Sequence, residues 1–213
     1  MMQVQIILFD GFDELDAIAP FEVLRNATEM GADVQVELVA LDDCAVITGA
    51  HGLQVQPGAT FEHDSKPDIL IVPGGGWGNR APQGAWAEAP RGEIPAAIAQ
   101  LHQNGTTIAS VCTGAMLVAA AGLLRGRPAT THRVAIEALK GAGAAIVDAR
   151  VVDDGDIVTA AGVTSGLDLA LWLLERYFTP EIAHKIETKL EYERRGKVWQ
   201  RSAVVVTKGS HDA

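Results

Sequence analysis

The sequence predicts an α/β fold, a mostly parallel sheet covered on both faces by helices. Two observations carry this. Short apolar runs of strand length recur along the chain, and longer stretches of helical spacing separate them. Residues 4–9 are continuously apolar except for Gln5, and residues 68–72 read as a short buried strand. The chain has 213 residues, 48% of them hydrophobic and 21% charged, which is enough for one large domain with a substantial core.

Element by element, residues 4–9 form the first strand. Residues 15–30 follow as a helix, with Leu15, Ile18, Ala19, Val23 and Ala27 on one stripe. Residues 34–41 alternate apolar and polar as a second strand. Residues 45–55 place Gly49 and Gly52 between β-prone pieces, a hairpin-like excursion. The strand at 68–72 stops at Pro73-Gly74-Gly75-Gly76. Residues 93–103 are helical, with Pro95 in the tolerant first turn. Residues 106–111 form a strand that runs into Cys112, and Ala115, Met116 and Leu117 then open a helix. A helix at 134–139 precedes strands at 146–152 and 157–160, which turn at Asp153-Asp154-Gly155-Asp156. Helices at 166–177 and 179–192 complete a domain spanning residues 1–193, the second starting at the cap-like Thr179-Pro180-Glu181. Residues 194–213 form a tail in which 204–207 suit a strand or a partner contact and the polar end suits disorder.

A net charge of -10 and a pI near 5.0 argue against an extended nucleic-acid surface. No apolar run reaches membrane-spanning length and the N-terminus lacks a signal-like pattern, so a cytoplasmic protein without membrane association is expected. Two cysteines, Cys44 and Cys112, are too few for a disulfide framework or a structural zinc site, and the six histidines show no ligand spacing. No metal is expected. The glycines at 74–76 do not form a dinucleotide or phosphate-loop fingerprint, and no cofactor is expected either.

In doubly wound sheets ligands bind beyond the carboxyl ends of the strands. Three segments reach that edge: Gly11 to Asp16, Pro73 to Gly76, and Cys112-Thr113-Gly114. Ser110 and Gly114 flank Cys112 at two positions on either side, as the sharp turn of a nucleophile elbow requires. A following helix N-terminus would favour the thiolate. The competing reading is a small buried hydrophobe. Gly74 to Gly76 either open backbone N–H groups to an oxyanion or simply turn the chain. Trp77 and Trp86 either wall a pocket or pack their loop onto the domain. Asp16 lies among Leu15, Ala17, Ile18 and Ala19, where a carboxyl group needs a partner or holds its proton. It is either a general acid–base group or a first-turn acid. Glu22 is a second acidic candidate, and His132 is placed near the same edge as a base or as a structural residue.

Several of these segments together resemble the ThiJ/PfpI superfamily. They are Leu15-Asp16 with Pro20, Ile71-Val72-Pro73-Gly74-Gly75, Ala109 to Gly114, Ala121 to Arg127, Ala129-Thr130-Thr131-His132, and Gly162 to Asp168. The resemblance implies a flavodoxin-like three-layer sandwich with a cysteine nucleophile elbow. Within the superfamily the chain resembles isocyanide hydratases and the amidase-like domains of certain transcription regulators. That pattern implies Cys112 as nucleophile, Asp16 as essential acid and Thr113 in a supporting role. It also implies an anion site at the amides of Gly75 and Thr113, with Gly76, Trp77 and His132 around a small-molecule substrate, and a homodimer. Protease-like members carry His where this chain has Thr113, which counts against a Cys–His peptidase. The helix-turn-helix appended in the regulators is not matched by the short tail. Three functions follow as expectations: an isocyanide hydratase, a glyoxalase- or hydrolase-like enzyme acting on a small carbonyl compound, or a non-enzymatic ligand or redox sensor.

Overall fold

The computed structural model describes residues 1–42, 46–61 and 65–201; Cys44 and the strand-prone stretch 204–207 lie outside them. The first half contributes β1 (Met2–Leu8), α1 (Glu14–Glu29), β2 (Val34–Ala40), the ribbon β3 (Ile47–Thr48) and β4 (Gln54–Val55), β5 (Ala59–Thr60) and β6 (Ile69–Val72). Next come α2 (Ala85–Arg91), α3 (Glu93–Gln103), β7 (Thr107–Ser110), α4 (Gly114–Ala120), β8 (Pro128–Ala129) and a 3-10 turn at Arg133–Ala135. The chain continues through α5 (Ile136–Gly141), β9 (Ala145–Ile146), β10 (Val151–Asp153), β11 (Ile157–Ala160), α6 (Ser165–Tyr177), α7 (Pro180–Lys189) and β12 (Trp199–Gln200).

Eight strands form the central sheet in the order β12-β10-β11-β7-β6-β1-β2-β5. Every neighbouring pair is parallel except β10 with β11, which the acidic turn at 153–156 reverses. From β1 the chain winds outward through β2 and β5, and from β6 it winds the other way through β7 to β11. The reversal falls between β1 and β6. This is the switch point at which loops leave opposite sides of the sheet and open a crevice.

Helices α1, α6 and α7 pack together in one layer, and α2, α3, α4 and α5 in the other. Being covered on both sides, the central strands carry uniformly apolar side chains: Ile6, Ile7, Ile69, Leu70, Ile71, Val72 and Ile108 are all fully buried. Each contributes about 1.5–3 kcal/mol by leaving water.

The departures from the sequence reading have local causes. α2 falls where the sequence suggests a loop: it is short, carries Pro90, and lies between Gly84 and Gly92, which the structure holds at positive φ. The strand expected over 146–152 splits: β9 pairs with β8 in a separate ribbon, and β10 joins the main sheet. α7 stops at Lys189 because Tyr192 is drawn off to donate its hydroxyl to Asp168 Oδ2 at 2.9 Å. On α1 the predicted stripe holds at Ala19, Val23 and Ala27, which are buried, and departs at its first residue. Leu15 is exposed and Asp16 is buried beside Ala17, Ala19 and Pro20. The hairpin excursion at β3–β4, the Asp153–Asp156 turn and the Thr179 cap all form as expected, with Thr179 Oγ1 accepting Ile182 N–H at 3.3 Å.

Candidate active site

Strands β1, β6, β7 and β11 are consecutive neighbours, so the loops after them leave the sheet side by side. Their sequences let them approach to backbone contact. A Cβ on Gly75 would lie 2.2 Å from Gly11 O, and one on Gly114 would lie 2.1 Å from Val72 O. Neither position can carry a side chain without moving a neighbouring loop.

Cys112 sits where β7 turns into α4, at φ +56°. A non-glycine residue rarely holds this conformation, which costs about 1–3 kcal/mol and persists only when the surroundings enforce it. Here they do. Cys112 N–H donates to Ala160 O and Ala161 O at 3.1 and 3.0 Å, and Cys112 O accepts Thr131 Oγ1–H at 2.8 Å. The small flanks predicted for an elbow are also enclosed, Ser110 and Gly114 both being buried.

Asp16 presents its carboxyl to this turn. Oδ2 accepts Gly74 N–H at 3.0 Å, across 58 residues of sequence. Oδ1 is buried with no hydrogen bond of ordinary geometry, on the carboxyl group that Cys112 approaches as a side-chain donor. Burial, reinforced by the charge of Asp13, raises the Asp16 pKa well above the usual carboxylate range, against the pull of Gly74 N–H and Cys112. Burial also pushes the Cys112 thiol up, and an ionised Asp16 pushes it further; the N–H groups of Val163 and Thr113 act on the sulfur in the opposite direction. The expected preference of the helix start for thiolate is therefore outweighed. With both groups raised, each holds its proton more tightly than it would in water, and loss of one proton leaves a single charge that the other, still neutral, group does not repel.

Thr113 braces the glycine loop. Its Oγ1 accepts Gly75 N–H at 2.9 Å, so that amide is occupied by the protein, while Thr113 N–H favours the Cys112 thiolate electrostatically. Thr113→Val leaves the buried Gly75 N–H without an acceptor and is expected to cost about 1–3 kcal/mol in urea unfolding, with Thr113→Ser close to wild type. Gly76 borders a cleft of ≈ 320 Å³ with Gly11, Asp13, His51 and Gln83. A second cleft of ≈ 580 Å³ is lined by Asp13, Glu14, Leu15, His51, Leu53 and Val163. Both are large enough for a small molecule.

Trp77 borders neither cleft. It packs edge-on against Trp86 of α2, with ring centroids 5.0 Å apart, which fastens its loop to the domain. His132 caps the 3-10 turn: its Nδ1 accepts Val134 N–H at 3.2 Å, which places the proton of the neutral ring on Nε2. Its ring lies against Gly162, where a Cβ would come 2.3 Å from His132 Cδ2. Glu22 is exposed, with no link to Cys112. Among the described residues no cluster of three or more His, Cys, Asp or Glu could hold a metal ion.

Sequence reasoning gave no role to Val163 or Thr131. Val163, at φ +26°, is a β-branched residue held in a strained conformation near enough to Cys112 for its N–H to favour the thiolate. The available signal was Gly162-Val163 directly after a strand that pairs with β7, which becomes visible only once the strand order is known.

The DJ-1/PfpI family model matches residues 2–176. The chain belongs to that family. An isonitrile hydratase of Pseudomonas putida is 36% identical over 192 residues, covering 90% of this chain and 78% of the hydratase. A deglycase of Pyrococcus abyssi is 34% identical over 176 residues, covering 82% of this chain and 96% of the deglycase. Among solved structures, a ThiJ/PfpI family protein from Pseudomonas syringae superposes with a TM-score of 0.80 at 30% identity, covering 92% of this chain and 76% of the other. In this DJ-1/PfpI chain the elbow, the buried acid and the glycine loop all fall inside the matched region.

Proposed function

We propose that the chain is a cysteine-dependent hydratase that adds water to an isonitrile and releases an N-substituted formamide. The observation that supports this most directly is the pairing of Cys112 with a buried, proton-holding Asp16 whose Oδ1 is unpartnered. An isonitrile carbon attacked by a nucleophile becomes carbanionic and needs a proton at that same carbon. An acid beside the sulfur suits that need better than a histidine base does.

In the first step the Cys112 thiolate forms a C–S bond to the terminal carbon, and Asp16 gives its proton to that carbon, leaving a thioimidate and an Asp16 carboxylate. Water then adds across the C=N bond. The tetrahedral adduct collapses: the C–S electron pair returns to sulfur, the hydroxyl proton passes to Asp16, and the formamide leaves. Atoms and charges balance with water as the only co-substrate. Leu15, Leu53 and Val163 offer an apolar wall for the nitrogen substituent.

The deglycase relative favours a second reading, attack of the same thiolate on a small aldehyde to give a hemithioacetal. One assay separates the two. Simple alkyl and aryl isonitriles and methylglyoxal are offered in parallel, and formamide and lactate are followed by NMR with Cys112→Ala as the blank. Formamide above the blank supports the hydratase, lactate above it supports the carbonyl enzyme, and no product from either removes both.

A further inference from the structure

The hydratase reading leaves one step without a protein group. Asp16 is fully buried, and after the first step it is a carboxylate reserved for the last proton. Adding water to the thioimidate requires a second group that meets solvent, takes a proton from oxygen and supplies one to nitrogen.

Asp13 has the required placement. It precedes α1 in extended conformation, with φ -72° and ψ 121°, and its N–H is tied to Gly74 O at 2.8 Å, so its backbone is fixed to the glycine loop. It borders both clefts, the one that contains Gly76 and the one that Val163 also lines, whose N–H acts on the Cys112 sulfur. It is half-buried, and its carboxyl acts on Asp16 and Cys112 alike. Its carboxyl makes no capping hydrogen bond to the first turn of α1, where the Leu15 N–H acts on it only electrostatically, and no salt bridge pairs it with a cation among the described residues.

Every charged group facing Asp13 belongs to this mouth. Glu14 and Asp16 come from its own helix, His51 from the β3–β4 ribbon, His132 from the loop before the 3-10 turn, and Cys112 from the elbow. Glu14 is already engaged: its Oε2 meets His51 Nδ1 at 2.6 Å and its Oε1 accepts His51 N–H at 2.6 Å. Asp13 is left as the unengaged carboxylate between water and the reacting pair.

We propose that Asp13 is the general base of the hydration half-reaction, resting on the hydratase reading above. Its carboxylate accepts a proton from the attacking water as the O–C bond forms, and returns that proton to the imidate nitrogen. This leaves Cys112–S–CH(OH)–NH–R and an Asp13 carboxylate unchanged overall. Burial raises the Asp13 pKa, against protonated His51 and the Leu15 N–H, which keeps it basic enough to abstract the proton.

The test is the full-length protein with Asp13→Asn, given a simple alkyl isonitrile, quenched in time and weighed by mass spectrometry. Asn matches Asp in shape and removes no capping hydrogen bond, so the fold is expected to hold. The expected result is formation of the Cys112 adduct at a rate within about threefold of wild type, with its breakdown slowed about 100-fold so that adduct accumulates. The acid limb of the kcat profile is lost, and Asp13→Glu recovers a shifted limb. Equal turnover by Asp13→Asn, or a loss confined to adduct formation, overturns the assignment while leaving the hydratase intact. A wild type that forms neither adduct nor formamide overturns the hydratase reading itself, and this one with it.

Discussion

Asp16→Asn is expected to lose about 10³–10⁴-fold in formamide production while making Cys112 easier to alkylate. The two effects come from one change. Asn retains an oxygen for Gly74 N–H but has no proton to give to carbon, so the first step loses its acid. In the wild type, once the pair has released the first of its two protons, most of the charge resides on whichever partner is more acidic, and the thiolate population levels off until the second is lost. In the Asn variant no carboxylate at position 16 competes for the charge or repels it, and only the weaker influence of Asp13 remains, so the thiolate population keeps climbing with pH. Iodoacetamide rates measured between about pH 6 and 9 should therefore diverge, the variant being faster by about tenfold for each pKa unit that the thiol falls. Identical alkylation profiles combined with full turnover would show that the two residues are uncoupled.

The same substitution has a stability signature of definite sign. Because the folded pKa of Asp16 lies above its ordinary value of 3.8, the folded state holds a proton that the unfolded chain has already released. Stability is fullest below that ordinary value and falls as pH rises toward the raised one. Asn never pays this ionisation penalty. Its melting temperature should match or exceed that of wild type, with the gain larger at pH 8 than at pH 4.

Gly114→Ala is the second large effect, on folding rather than chemistry. The added methyl would meet Val72 O at 2.1 Å and the Pro73 carbonyl at 2.8 and 2.9 Å, all backbone atoms that no rotamer change can clear. The elbow and the β6 loop must separate, and about 3 kcal/mol or more of stability is expected to go with them. Chemical denaturation measures the loss. Any soluble remainder should also show altered Cys112 alkylation, since the turn that places the sulfur has moved. An alanine variant as stable as wild type would mean that the loops are far more compliant than their contacts indicate.

The layering of this fold was legible from the sequence because local rules and packing agree. Uniform apolar runs such as Ile69 to Val72 permit burial on both faces, and Cys112 between Ser110 and Gly114 permits a sharp turn. What was not legible depends on contacts between distant segments. Asp16 is buried, as its apolar neighbours suggest, but Leu15, expected on the buried stripe, is exposed because α1 turns Asp16 toward the elbow, a tertiary contact that periodicity does not register. Gly75 was expected to offer an open amide, yet its partner is a hydroxyl 38 residues away. Trp77 was weighed for the pocket and for loop packing, and only the strand order and the unforeseen α2 show that it meets Trp86. Asp13 went unremarked because its importance lies in the two clefts it joins, neither of which exists in one segment.

The hydrogen bonds that build the site have a consequence for how the protein comes of age. Gly74 reaches Asp16 across 58 residues, Gly75 reaches Thr113 across 38, and Thr131 reaches Cys112 across 19. Contacts of such span close late, after the loops between them have been gathered by the sheet. A nascent or partly folded chain thus carries an ordinary cysteine and two ordinary aspartates. What assembly supplies is the partnership itself: only the folded chain sets an acid beside the sulfur, so the paired chemistry exists only once the sheet has closed.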